Sequence, residues 1–116
     1  MKKKTKIVVV GIGGVGGYYG GLLAQKYSNS NEVEIIFVAR GEHLKQIQNN
    51  GLKVIVGTGE FISAPTLATD NAQEIGTADY IMICTKNYDL EAAIEQIKPC
   101  IDGNTILLPL LNGVDG

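Results

Sequence analysis

Four separated segments of this 116-residue chain carry groups suited to gripping a phosphorylated ligand. The first reads Lys6-Ile7-Val8-Val9-Val10-Gly11-Ile12-Gly13-Gly14-Val15-Gly16, with Gly11, Gly13 and Gly16 in the spacing G-x-G-x-x-G. In a dinucleotide-binding turn the first glycine permits the tight bend and the second lets backbone approach a pyrophosphate. The third lets helix and strand pack closely. The phosphates then meet unpaired N–H groups at the positive end of a helix dipole. The second segment is Phe37-Val38-Ala39-Arg40, the third Ile83-Cys84-Thr85-Lys86, and the fourth Leu111-Asn112-Gly113.

The elements around these segments give them their meaning. Ile7 to Val10 is a short, β-branched, wholly apolar run, as a strand buried on both faces requires. After the glycine turn, Val15, Tyr18, Tyr19, Leu22 and Leu23 recur at helical spacing and predict one apolar stripe. Gly17, Gly20 and Gly21 fall off that stripe. They weaken a helix, and so suggest close approach to a neighbour or a ligand. Strands are expected over Glu34–Val38, Asp79–Thr85 and Thr105–Pro109. Leu52–Val56 and Phe61–Ser63 read as a hairpin around Gly57-Thr58-Gly59-Glu60, and Thr66–Thr69 returns to the sheet. Helices are expected over Gly41–Asn50, with Leu44 and Ile47 inward, over Asp70–Ile75 in a short piece, and over Tyr88–Lys98 up to Pro99. Strand and helix alternate without repeat or linker. The fold expected is a single Rossmann-type α/β domain over residues 1–116: a doubly wound, mostly parallel sheet in a three-layer α/β/α sandwich.

In such a sheet ligands bind outside the carboxyl ends of the strands. All four segments should meet there. Arg40 stands where a site preferring NAD carries Asp or Glu for the ribose 2′-hydroxyl. A guanidinium suits a 2′-phosphate instead, which favours NADP(H). The interval from Gly16 to Arg40 exceeds the usual one of about 20 residues, and the polar loop around Asn29 absorbs the excess. Lys86 offers positive charge to a phosphate or a carboxylate and reads equally as a solvated side chain. Asn112 offers a donor and an acceptor to a nicotinamide ribose or a substrate, and Asn-Gly is also a common turn pair.

Composition narrows the remaining classes. Ten basic and twelve acidic residues give a net charge of −2. That balance leaves no basic field for nucleic acid. Met1-Lys2-Lys3-Lys4 ahead of an uncharged stretch from Ile7 to Gln25 resembles a signal peptide or a membrane span. Glycines and two tyrosines dilute it, and no clean cleavage site closes it, so neither is expected. Cys84 and Cys100 do not form a disulfide framework or a zinc site, and buried thiols in a reduced cytoplasm are expected. One histidine, His43, is too little for a histidine-based metal site and reads as a helix-surface residue.

Taken together, Gly11-Ile12-Gly13-Gly14-Val15-Gly16-Gly17-Tyr18-Tyr19-Gly20, Val38-Ala39-Arg40-Gly41-Glu42-His43-Leu44, Ile83-Cys84-Thr85-Lys86-Asn87-Tyr88-Asp89-Leu90 and Leu110-Leu111-Asn112-Gly113-Val114 resemble the ketopantoate reductase (2-dehydropantoate 2-reductase) family. The resemblance covers nearly the whole chain. It implies an NADPH-dependent reduction of ketopantoate to pantoate on the route to coenzyme A. It also implies that Gly11, Ile12, Gly13, Gly14, Val15 and Gly16 hold the pyrophosphate and Arg40 the 2′-phosphate. Lys86 would help bind the cofactor, and Asn112 would sit by nicotinamide and substrate. Leu111 departs from the glutamine that many members carry. Members of the family also continue into a helical domain that supplies the general-acid lysine. This chain is therefore expected to be a cofactor-binding domain with no catalytic residue of its own, inactive alone and prone to self-association. A stand-alone nucleotide-sensing module is the alternative; such modules generally carry an acidic residue where Arg40 stands.

Overall fold

The computed structural model describes residues 4–11, 15–84 and 90–109. Five strands form one sheet: β1 (Thr5–Val10), β2 (Val33–Val38), β5 (Leu67–Thr69), β6 (Tyr80–Ile83) and β7 (Ile106–Pro109). Their order is β5-β2-β1-β6-β7, and every pairing is parallel. The chain moves outward from β1 through β2 to β5, then returns to the other side of β1 for β6. That reversal makes a topological switch point between β1 and β6, as expected of a doubly wound Rossmann sheet.

The apolar runs of β1 and β2 are continuous because each strand feeds two cores. Val9, Ile35 and Phe37 face one cluster, together with Leu44 and Ile47 of α2 (Gly41–Asn50). Val8, Val10, Ile36 and Val38 face the other, with Ala93 and Ile97 of α3 (Leu90–Ile97). Helices on both faces leave no solvent side to the central strands. Arg40 precedes α2. Gly51 ends α2 at φ +80°, donating its N–H to the Ile47 carbonyl at 2.9 Å. α3 stops at Ile97, and a 3-10 turn over Lys98–Cys100 follows, with Pro99 near its start, where a missing N–H costs least. The expected helix over Asp70–Ile75 is a single 3-10 turn at Ala72–Glu74, begun by Asn71, whose side chain accepts the Gln73 N–H at 3.1 Å.

The stripe expected of α1 (Val15–Lys26) is corrected. Tyr18 and Tyr19 are exposed, and their rings meet edge to face with centroids 5.2 Å apart. The buried side of α1 is its small-residue side, Gly20, Gly21 and Ala24. Among the described side chains the stripe fails at its tyrosines only: Leu22 and Leu23 are half-buried, Leu23 against the core, and Gly20 and Gly21 make the close approach to neighbours expected of them. One of those neighbours is the hairpin of β3 (Leu52–Val56) and β4 (Gly59–Ser63), an antiparallel pair separate from the main sheet. A two-residue turn, Gly57-Thr58, joins them, with Gly57 at φ +61°, the first-position glycine that tight hairpins favour. Leu52 and Val54 point into the core, whereas Ile55 and Ile62 stand in solvent beside the Lys53–Glu60 ion pair at 3.4 Å.

Lys6 belongs to the far end of the sheet. Its N–H donates to the Asp79 carboxylate at 2.8 Å, and its ammonium donates to the Ile75 carbonyl. Among the described residues no helix is long and apolar enough to cross a membrane, and no group of three or more His, Cys, Asp or Glu side chains could hold a metal ion.

Candidate functional site

Strand register builds the site. Val10 pairs with Val38 on one side and Ile83 on the other; Val38 pairs with Thr69, and Ile83 with Pro109. The five carboxyl ends therefore lie level, neighbouring strands being about 4.8 Å apart. Whatever follows each strand emerges along one edge. Gly11 follows β1, Ala39-Arg40 follows β2, Asp70 follows β5 and Cys84 follows β6.

Gly11 adopts φ +87°, a left-handed conformation that a side chain would strain. Its N–H is already engaged, donating to the Val38 carbonyl at 3.3 Å. This bond ties the turn to the end of β2. α1 then begins at Val15, so Val15 and Gly16 lie in its first turn, where backbone N–H groups lack intrahelical partners. Ile12, Gly13 and Gly14 lie outside the described residues, as do Lys86 and Asn112. Lys86 and Asn112 come shortly after the observed ends of β6 and β7, Ile83 and Pro109.

Arg40 is exposed, with an extended backbone at φ −138° and ψ 159°. Its guanidinium makes no hydrogen bond or ion pair among the described residues. Its backbone starts α2, and its side chain makes no capping hydrogen bond to that helix end. Beside it, Gly41 stands at φ +62°, with nothing within 4 Å of the position a Cβ would take. The result is an open corner at the end of β2 that carries the Arg40 cation, with Glu42 in the first turn of α2 and Asp70 after the neighbouring β5. His43 is exposed in the first turn of α2. It lines a shallow groove of about 350 Å³ with Gly17 and Tyr18 of α1 and Lys53 and Ile55 of β3. None of that groove's lining residues comes from the five-stranded sheet.

Two polar residues that sequence reasoning passed over are buried. Thr69 ends β5 and is 4% exposed. Its hydroxyl donates to Glu74 Oε1 at 2.5 Å and accepts the Asn71 N–H at 3.0 Å, while its carbonyl accepts the Ala39 N–H at 3.2 Å. It braces the backbone that carries Arg40. Ser63, at the end of β4, donates its hydroxyl to the Gly21 carbonyl at 2.7 Å. Neither had a sequence signal beyond being a small polar residue at a strand end. Cys84 and Cys100 are free and buried, and burial pushes both thiols above their ordinary value; for Cys100 the Lys6 charge pulls weakly the other way.

With this geometry in place, comparison with known proteins is direct. Residues 7–116 match the family described as "Ketopantoate reductase PanE/ApbA". The chain belongs to that family. A 2-dehydropantoate 2-reductase of Mesorhizobium japonicum is 38% identical over 109 residues, covering 94% of this chain and 32% of its own. The crystal structure of 2-dehydropantoate 2-reductase from Porphyromonas gingivalis W83 superposes with a TM-score of 0.87 at 47% identity, covering 97% of this chain and 40% of that one. A D-mandelate dehydrogenase solved with NADH and anilino(oxo)acetate superposes at 0.73 and 29% identity, over 93% of this chain and 33% of that one. The chain thus spans about a third of the length of the curated relatives it matches. The Rossmann-type sheet expected from the sequence is the sheet shared with the Porphyromonas gingivalis structure.

Proposed function

We propose that this chain is the NADP(H)-binding domain of an oxidoreductase that reduces 2-dehydropantoate to pantoate in pantothenate and coenzyme A biosynthesis. One observation carries the reading. Val10 and Val38 are register partners, so the glycine turn and Arg40 leave the sheet side by side, next to the switch point. A dinucleotide needs that juxtaposition: N–H groups for its pyrophosphate, and a contact at the adenosine ribose one strand away. The donor set suits the phosphorylated cofactor, because the Arg40 guanidinium is exposed and has no partner among the described residues, and the one acidic side chain in the first turn of α2, Glu42, follows it by two positions.

In this reading Gly11 sets the turn and gives its own N–H to β2. Ile12 to Gly16 present the remaining N–H groups to the pyrophosphate. Arg40 takes the 2′-phosphate, which an ammonium or a carboxylate in its place would not hold in two directions at once. Lys86 adds charge to the cofactor from the end of β6. Asn112, after β7, orients the nicotinamide ribose and the keto acid. The bound cofactor supplies the hydride. The proton for the substrate oxygen and the second wall of the cleft come from the two thirds of the relatives that this chain does not span. Family members act on a small keto acid, and a cytoplasmic site of action agrees with the two free, buried thiols.

Calorimetric titration of the chain with NADPH and with NADH tests this reading. Binding of NADPH, more tightly than NADH, together with no turnover of the keto acid, is the expected result. Failure to bind either nucleotide rejects it.

A further inference from the structure

We infer that the β3–β4 hairpin positions α1 for phosphate binding, and that Ser63 is the positioning residue through which it does so. The inference rests on the cofactor reading above. α1 holds Gly16, Gly17, Gly20 and Gly21 within one helix, and each weakens that helix relative to alanine. Its placement therefore comes from what it packs against rather than from its own propensity. Two glycines on adjacent positions face opposite supports. A Cβ on Gly20 would stand 3.1 Å from Phe37 Cε1 and 3.4 Å from Val9 Cγ1, in the sheet; a Cβ on Gly21 would collide with Val54 Cγ2, in the hairpin. The helix is gripped between the two.

Lateral grip alone leaves a helix free to slide along its axis. The Ser63 hydroxyl removes that freedom. It is 3% exposed and donates to the Gly21 carbonyl at 2.7 Å, adding a fixed donor from the hairpin to a carbonyl of the helix backbone. Phosphate contacts tolerate a range of only about 2.7–3.2 Å, so an axial slip of a fraction of a turn is enough to spoil them. Arg40 stands on the end of β2 and does not ride on α1. Loosening the hairpin must therefore weaken the pyrophosphate contact, which all adenine dinucleotides share, and leave the 2′-phosphate contact alone.

The test is calorimetry with NADPH, NADH and ADP on the wild type, Ser63→Ala, Ser63→Thr and Val54→Ala, at a temperature where circular dichroism shows each folded. Ser63→Ala should weaken all three ligands by one common factor of about 3- to 10-fold. Ser63→Thr, which keeps the hydroxyl, should return affinity to within about twofold of wild type. Should Ser63→Ala fail to fold, Val54→Ala carries the same expectation. On the wild type, NADPH should also slow amide exchange in residues 52–63. A lower melting temperature with unchanged affinities, a loss confined to NADPH, or unaltered exchange in the hairpin overturns the proposal. A wild type that binds none of the three ligands overturns the cofactor reading itself, and this inference with it.

Discussion

Val54 fills the space in which a side chain on Gly21 would stand. The contact joins the middle of α1 to β3. It explains why the glycine is tolerated in a helix, where alanine is otherwise better by about 1 kcal/mol. Gly21→Ala gains that propensity and loses more to overpacking, whose usual cost is about 1–3 kcal/mol. A net destabilisation of about 1–2 kcal/mol is expected in chemical denaturation. The double variant Gly21→Ala, Val54→Ala should cost less than the sum of the two single changes, because the second makes room for the first. Strict additivity would mean that the two residues do not compete for one space.

The contact also marks where the sequence stopped being legible. Strand order, the two-sided burial of β1 and β2, and the convergence of Gly11 and Arg40 followed from alternation, apolar runs and the rule about carboxyl ends. The outward turn of the α1 tyrosines did not, although the off-stripe glycines suggest a close neighbour. Tyr18 and Tyr19 have helical spacing and are apolar, yet they face outward, while Gly20, Gly21 and Ala24 face inward. Periodicity of size cannot find a face selected for smallness. Ser63 and Thr69 were invisible for a related reason: their hydroxyls answer backbone groups 42 residues away or in the next turn, and a lone Ser or Thr carries no spacing to read. The site residues Lys86 and Asn112 remain proposals from the resemblance.

The two thiols give a pH signature. Burial raises Cys84, and it raises Cys100 despite the opposing Lys6 charge, from an ordinary value of 9.0. A thiol raised in the folded state favours folding fully below its unfolded value and loses that advantage as pH climbs through the folded one. The thiols should therefore leave stability unaffected by pH through the neutral range and should lower it above about pH 9. Cys84→Ala with Cys100→Ala should flatten that alkaline decline. A thiol reagent should label neither residue at neutral pH until denaturant is added, and rapid labelling of the native protein would contradict the burial.

β7 should make the 116-residue chain associate with itself. Ile106, Leu107 and Leu108 are 48%, 38% and 42% exposed on the last strand of the sheet, with Tyr80 of β6 beside them. Successive side chains point to opposite faces, so apolar surface lies open on both. Ile106 donates its N–H to Asp79 and hence toward β6, and alternation then turns Leu107 and Pro109 to the open edge. Pro109 has no N–H to give there, so the edge resists strand addition and association should proceed through the faces. Sedimentation velocity should show mass rising with concentration, and an apolar dye should bind. Leu107→Lys with Leu108→Lys should suppress both without lowering the melting temperature. A wild-type monomer at high concentration with no dye uptake would reject the expectation.

On the proposed function, Arg40 should decide between the two nicotinamide cofactors. It leaves β2 beside Gly11, it is exposed, and its neighbours Val38 and Ala39 bring no carboxylate. A D-mandelate dehydrogenase of similar fold was solved with NADH; in dinucleotide sites of this fold the residue after the second strand is the usual discriminator. Hydrogen bonds to charged groups contribute about 1.5–3 kcal/mol. Arg40→Ala should weaken NADPH by about 10- to 100-fold and leave NADH nearly unchanged. Because the corner is open to solvent, the NADPH loss should shrink as salt rises from about 0.1 M to 1 M. Arg40→Asp should go further, repelling the 2′-phosphate while offering a carboxylate to the ribose hydroxyl of NADH. Calorimetry on the wild type and both variants separates the outcomes. Equal loss of both cofactors would indicate damage to the turn at Gly11, which sits one strand away, and no loss of either would make Arg40 a surface residue without a ligand.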